Sequence, residues 1–145
     1  MRELPRKLTV DELAELFEGR TRLVERLAEL EDPLEVSPGL IAQLPENELV
    51  EALAAHPAIG AKSLSEQSRL EQGPDADDAV EAELARLNRA YEERFGFRFV
   101  VFVNRRPKSE IVPILLERLA RTRDEELETA VGELIAIARD RWRTR

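Results

Sequence analysis

The single histidine of the chain, His56, is the first candidate for chemistry. Its imidazole has an unperturbed pKa of about 6.5, so it can accept or donate a proton near neutral pH. Leu49, Leu53 and His56 follow at spacings of four and three, which places His56 on a helix's apolar face, in its last turn before Pro57. From position alone, a buried structural histidine is the favoured interpretation, and a catalytic acid or base is the alternative.

A second group of polar residues, Ser63, Glu66 and Gln67, follows in the chain. Ser63 and Glu66 have the spacing of a capping box, which closes the first turn of a helix and needs no further function. Capping does not explain Gln67. Because the free N–H groups of a helix N-terminus also bind carboxylates and carbonyls, the three residues are candidates for holding a small polar ligand.

Arg141 is the third candidate. Leu134, Ala138 and Arg141 share one apolar stripe of the last predicted helix, whereas Arg139 falls on its flank. A guanidinium on an apolar stripe needs a partner, which could be a buried Glu or a substrate anion held by two hydrogen bonds. An Arg that extends into solvent near the chain end is an equally weighted alternative. The sequence leaves open which of the two arginines contacts a substrate.

The composition limits the classes of protein to consider. The chain has 145 residues, 43% apolar and 36% charged, with a net charge of −8. These values predict one soluble domain, residues 1–145, and argue against a nucleic-acid partner, whose phosphates need a basic face. Two local basic clusters, residues 105–108 and 139–145, are best interpreted as a loop and a solvated helix end.

Several site types are excluded by residue counts. With no Cys and one His, thiolate zinc sites and sites with two histidine ligands cannot form, so no metal is expected. No apolar run approaches the length of about 18 residues typical of a membrane helix, and no signal peptide is visible. We therefore expect a cytoplasmic protein without a membrane partner.

The helix signals predict an all-α bundle of about six to eight helices. Capping boxes begin at Thr9, Ser63 and Thr122, and breakers stand near Gly19 and at Gly96. The one strand-like run, residues 97–103, has no obvious pairing partner. An extended segment packed between helices is therefore favoured there over a sheet.

Three stretches of the sequence together resemble one known family, the 2-oxo-4-hydroxy-4-carboxy-5-ureidoimidazoline (OHCU) decarboxylases. They are His56-Pro57-Ala58-Ile59-Gly60, Ser63-Leu64-Ser65-Glu66-Gln67 and Leu87-Asn88-Arg89-Ala90-Tyr91-Glu92-Glu93-Arg94-Phe95-Gly96-Phe97-Arg98-Phe99-Val100-Val101. The resemblance covers residues 49–142, and its most specific part is the third stretch. Upstream, only Phe17-Glu18 is similar to a family motif. Arg98 stands where the family usually has Pro, and the stretch between His56 and Ser63 is shorter than usual.

The resemblance implies a role for each candidate residue. His56 and Glu66 would be catalytic, with His56 as the acid/base, and Ser63, Glu66 and Gln67 would bind the ureido and ring polar groups. Arg141 would hold the carboxylate or a carbonyl oxygen of a small-molecule substrate. Backbone contacts to the substrate ring would come from Arg98, Phe99, Val100, Val101 and Phe102.

The leading hypothesis is thus a carboxy-lyase that needs no cofactor and makes (S)-allantoin from OHCU in urate breakdown. One alternative is a diverged relative acting on another ureido or imidazole acid. The other is a helical binding module that kept the fold and lost the activity. A homodimer is compatible with the sequence but is not predicted by any feature of it.

Overall fold

The computed structural model describes residues 3–41, 43–57 and 77–144. Within these ranges the chain forms seven α-helices and one 3₁₀ turn, with no strand. This confirms the prediction of an all-α protein. The helices are α1 (Val10–Phe17), α2 (Arg22–Ala28), α3 (Pro38–Ile41), α4 (Glu46–Ala55), α5 (Asp78–Phe95), α6 (Lys108–Leu119) and α7 (Arg123–Thr144), and the 3₁₀ turn is Pro33–Glu35.

The N-terminal helices begin and end where local signals place them. The Thr9 hydroxyl accepts from the Glu12 amide, and the Glu12 carboxylate accepts from the Thr9 amide, which is the predicted capping box. Helix α1 ends because Glu18 adopts a left-handed conformation with φ of 60°. Thr21 then caps α2, so the predicted break near Gly19 is confirmed.

Helix α7 organises the core. It packs against α1, α3 and α4. The apolar stripe that the sequence predicted is buried at Val131, Leu134 and Ala138, and the stripe ends at the equally buried Arg141. The Thr122 hydroxyl and Glu125 carboxylate form the capping box before this helix, as predicted. Helix α7 therefore brings one guanidinium into a largely apolar interior.

The segment 97–103 is extended and forms no strand, as predicted. Helix α5 stops at Gly96, whose φ of 80° suits glycine, and the chain then runs through the core with Phe99 and Val100 buried. Arg118 of α6 holds the segment: its Nη1 donates to the Val100 carbonyl at 2.7 Å, and its guanidinium lies 4.6 Å from the centre of the Phe99 ring.

A buried polar network anchors this arrangement. The Glu126 carboxylate of α7 accepts from Arg118 at 2.8 Å and from the Tyr91 hydroxyl at 2.5 Å. Arg121 donates to the second Glu126 oxygen at 3.1 Å. Because the buried carboxylate is fully paired, the network joins α5, α6 and α7 without an unsatisfied charge. Among the described helices, none is long and apolar enough to cross a membrane.

Candidate active site

His56 lies immediately after α4, as its C-cap. The residue is extended, with φ of −81° and ψ of 134°, and its amide donates to the Leu53 carbonyl at 3.2 Å. The sequence placed His56 inside the last helical turn, and the structure places it one residue beyond. The reason is Pro57, whose ring disfavours the helical conformation for the residue before it. The histidine is 7% exposed, so α4 delivers its imidazole into the protein interior.

Arg141 of α7 is 2% exposed, which rules out a side chain extending into solvent. Its Nη1 donates to the Leu16 carbonyl at 2.7 Å, and its Nη2 lies 3.5 Å from Glu18 Oε1. One partner of the kind that the sequence demanded is therefore Glu18, whose side chain is 10% exposed. Arg139, by contrast, donates from Nε to the Leu34 carbonyl. Arg141 is consequently the better placed of the two arginines for a site with His56.

Glu18 is a residue of this group that sequence reasoning did not assign to the site. It follows α1, its side chain is 10% exposed, and its carboxylate faces Arg141. The pair Phe17-Glu18 was visible only as part of a family motif. The usable signal was the apolar stripe ending in Arg141, because a buried guanidinium requires an anion from elsewhere in the chain.

The environment of His56 favours the neutral imidazole. Burial, followed by the positive charge of Arg141, lowers its pKa to about 4, with Glu18 acting in the opposite direction and Arg98 adding to the decrease. Its Nδ1 is buried without a hydrogen-bond partner in the part of the chain that the structure describes. A buried unpaired nitrogen is costly in a purely structural histidine, which makes it a candidate for contact with a ligand.

The Arg98 side chain is hydrogen-bonded to the C-terminal end of α4. Its Nη1 donates to the carbonyls of Ala54 at 2.9 Å and His56 at 2.5 Å, which are orphan acceptors at a helix C-terminus. Its Nε lies 3.5 Å from a Glu92 carboxylate oxygen. The guanidinium thus acts on the backbone that carries the imidazole, and a contact between Arg98 and a substrate stays a prediction.

The remaining backbone candidates, residues 99–102, differ in what they already bind. The Val100 carbonyl accepts from Arg118, and the Phe102 amide donates to Glu133 Oε1 at 3.3 Å. The Phe102 carbonyl accepts from Arg106 at 2.7 Å. A substrate contact through these groups would compete with bonds inside the protein. The predicted contacts of Phe99, Val100, Val101 and Phe102 therefore stay predictions.

The other site residues fall outside the described ranges. Ser63, Glu66 and Gln67 belong to residues 58–76, so their predicted roles stay predictions. Among the described residues, Glu18 and Arg141 form an ion pair, and the charges of both, together with that of Arg98, act on His56. In the same ranges no group of three or more metal-ligating side chains is arranged to hold a metal ion.

The described helices bury the His56 imidazole and the Arg141 guanidinium, which pairs with Glu18. The model of the OHCU decarboxylase family matches residues 2–143, and the chain belongs to that family. It is 28% identical over 152 residues to the uric acid degradation bifunctional protein PucL of Bacillus subtilis (strain 168), covering 97% of this chain and 31% of that protein.

Other relatives are decarboxylases by name. The chain is 31% identical over 109 residues to the 2-oxo-4-hydroxy-4-carboxy-5-ureidoimidazoline decarboxylase of Mus musculus, covering 68% of this chain and 60% of that protein. It is 43% identical over 63 residues to the protein of the same name from Amia calva, covering 43% of this chain and 35% of that protein. The matches thus span about a third to three fifths of these relatives' lengths.

Solved structures show the same fold. An OHCU decarboxylase structure determined in the presence of (S)-allantoin superimposes with a TM-score of 0.68 at 22% identity, covering 90% of this chain and 94% of that one. A structure of (S)-allantoin synthase superimposes with a TM-score of 0.63 at 22% identity, covering 93% of this chain and 48% of that one. At this level of identity the likeness establishes the fold.

Proposed function

We propose that this protein decarboxylates OHCU to (S)-allantoin in urate breakdown, without a cofactor. The observation that carries the proposal is the buried imidazole of His56. The positive charge of the buried Arg141 acts on this imidazole, and the chain belongs to the OHCU decarboxylase family. The relative named for uric acid degradation and the solved structures named for (S)-allantoin support the same substrate and product.

The proposed decarboxylation needs only an anion-binding group and a proton donor from the protein. The carbon–carboxylate bond breaks, carbon dioxide leaves, and the electron pair moves onto an imine or carbonyl of the substrate's ring. The ring then takes up one proton, and the product differs from the substrate by loss of carbon dioxide alone, so no oxidant or reductant is needed. The protein must orient the carboxylate, favour negative charge on the ring and deliver the proton to one face.

Arg141 is our candidate for the carboxylate, because a guanidinium holds a carboxylate through two parallel hydrogen bonds. His56 is our candidate for the proton transfer, and Glu66 for its catalytic partner. Ser63 and Gln67 are proposed to bind the ureido and ring groups. The family resemblance supports these last three assignments.

The low proton affinity of His56 has a mechanistic consequence. With a pKa of about 4, the imidazole is neutral when substrate arrives at neutral pH. A substrate carboxylate bound at Arg141 adds a negative charge close to His56, which raises the pKa of the imidazole. We therefore propose that His56 takes up a proton as substrate binds and donates it once carbon dioxide has left.

The test is turnover of freshly generated OHCU, followed by circular dichroism, with wild type and His56→Asn. We expect the variant to fold and to be slower by roughly 10²–10⁴-fold, the usual effect of losing a general acid/base. A melting curve checks the fold. A wild type that binds OHCU without turning it over would support the diverged enzyme or the binding module instead. Wild-type rates in a folded His56→Asn would remove His56 from the mechanism.

Arg139 provides the matched control for Arg141. Lysine keeps the charge and loses the planar pair of donors, so Arg141→Lys should lower kcat/KM by roughly 10–100-fold, the value of a charge-assisted hydrogen bond. Arg139→Lys should change it little, because Arg139 lies off the buried face of α7 that ends at Arg141. Equal losses in both variants would contradict the assignment of the carboxylate to Arg141.

The wider context of the activity is also proposed. We treat residues 1–145 as one OHCU-decarboxylase-like domain, which the family match over residues 2–143 supports. A small-molecule substrate is the proposed partner, in the cytoplasm. Homodimerisation stays open, and light scattering of the purified protein would decide it.

A further inference from the structure

Three helix ends meet around the candidate site. Glu18 follows α1, His56 follows α4, and Arg141 lies in the last turn of α7. The turn after α1 packs tightly on the end of α4: a Cβ built on Gly19 would lie 3.1 Å from the Ala55 Cβ. The backbone beside Glu18 is therefore held against the residue that precedes His56, and the two side chains share a fixed frame.

The backbone at Glu18 favours a different residue type. Its φ of 60° is left-handed, a conformation common for glycine or asparagine at the end of a helix and unfavourable for other residues. A strained conformation persists where the surrounding structure imposes it, and such residues cluster at functional sites. The presence of Glu here thus calls for an explanation in its side chain.

The side chain supplies that explanation. Glu18 Oε1 lies 3.5 Å from Arg141 Nη2, while the Leu16 carbonyl two residues earlier accepts from Arg141 Nη1 at 2.7 Å. The end of α1 therefore contacts both terminal nitrogens of the Arg141 guanidinium. The Glu18 and Arg141 side chains are only 10% and 2% exposed, so water screens their interaction weakly.

We propose that Glu18 is a positioning residue for the proposed decarboxylation: it fixes the Arg141 guanidinium and offsets the positive charge around His56, so that the imidazole can accept a proton. The inference rests on the proposed function for its catalytic meaning. Its electrostatic part can be tested without substrate.

In the part of the chain that the structure describes, the charged groups that act on His56 come from three elements. Arg141 belongs to α7 and Arg98 to the segment after α5, and both positive charges oppose protonation of the imidazole. Glu18, from the end of α1, favours protonation. Removing the Glu18 charge must therefore lower the pKa of His56, whereas removing the Arg98 charge must raise it.

Proton NMR titration of untagged protein can follow the imidazole directly, because His56 is the sole histidine. Glu18→Gln should move the midpoint to lower pH. Glu83→Gln, which removes an equal charge from an exposed pair with Arg86, should leave it unchanged. Since the wild-type midpoint is already low, both changes are repeated in Arg98→Met, where the midpoint starts higher. A folded Glu18→Gln variant with an unmoved midpoint would overturn the proposal.

Loss of the charge can unfold Glu18→Gln, because the buried Arg141 guanidinium would no longer face the Glu18 carboxylate. In that case the double variant Glu18→Gln/Arg141→Gln, which removes both charges of this pair, is compared with Arg141→Gln. The proposal expects a lower His56 midpoint in the double variant. Equal midpoints would contradict it.

Turnover separates this inference from the proposed function. In Glu18→Gln we expect kcat for OHCU to fall at least about tenfold, with the pH dependence of kcat displaced in the same direction as the His56 midpoint. A purely structural role would lower the rate equally at every pH. A displaced midpoint with no wild-type turnover of OHCU would overturn the proposed function alone. Wild-type turnover with an unmoved midpoint would overturn the role of Glu18 alone.

Discussion

At the scale of single residues, the imidazole of His56 makes the free energy of unfolding depend on pH. Its pKa is lowered from about 6.5 to about 4 by burial and by Arg141. Between these two pH values the unfolded chain binds a proton that the folded protein does not. Stability from this group is therefore complete above pH 6.5 and is lost as the pH falls toward 4.

We predict that this single group removes up to about 3 kcal/mol of unfolding free energy between pH 7 and pH 4, at 1.36 kcal/mol per pKa unit. Urea unfolding at a series of pH values measures it, with His56→Asn as the reference. The variant retains the titrating carboxylates, so the difference between the two curves isolates the imidazole. Parallel curves over this range would show that His56 titrates alike in the folded and unfolded chain.

At the scale of helices and turns, the sequence predicted what depends on neighbours along the chain. The capping box at Thr9, the break near Gly19 and the stop at Gly96 are local patterns, and each is confirmed. The end of α4 was predicted one residue too late, at His56 instead of Ala55, although Pro57 already carried the information. Local chemistry therefore accounts for most element boundaries.

The missed parts of the site depend on contacts between distant segments. Glu18 and Arg141 are far apart in sequence, and the predicted need for a buried partner did not identify which carboxylate would supply it. Arg98 was assigned a backbone contact to the substrate, which stays a prediction, whereas the hydrogen bonds from its guanidinium to the carbonyls of Ala54 and His56 were not predicted. Neither pairing has a spacing rule, because only tertiary packing brings the groups together.

The contact between the turn after α1 and the end of α4 gives a prediction at this scale. Gly19→Ala places its new methyl 3.1 Å from the Ala55 Cβ, closer than ordinary van der Waals contact, so the ends that carry Glu18 and His56 must separate slightly. We expect kcat to fall roughly tenfold, since a misplacement of about 1 Å can cost 10²-fold. Kinetic assay with a melting curve measures the effect.

Gly39→Ala is the matched control for this substitution. Gly39 lies in α3, and a methyl there would meet Glu128 at an ordinary contact distance of 3.7 Å. Alanine within a helix should leave kcat unchanged and raise stability by about 0.5–1 kcal/mol. If Gly19→Ala were as active as Gly39→Ala, the close approach beside Ala55 would have no bearing on the site.

At the scale of the whole molecule, the composition predicts how the reaction is supported. The chain offers one imidazole and no thiol, too few nitrogen or sulfur ligands for a catalytic zinc site. We expect decarboxylation of OHCU to survive exhaustive treatment with EDTA followed by gel filtration. Activity that disappears with the chelator and returns with one added metal would contradict a mechanism carried by protein side chains alone.

The segment 97–103 has a consequence for how this protein can vary over evolution. A strand is hydrogen-bonded to its neighbours through backbone groups that every residue possesses, so these hydrogen bonds persist after most substitutions. Here the attachment of the Val100 carbonyl depends on Arg118, itself paired with Glu126. Substitutions should thus be tolerated least at these two helical positions, which are remote from the segment in sequence, and a change at one would favour a compensating change at the other.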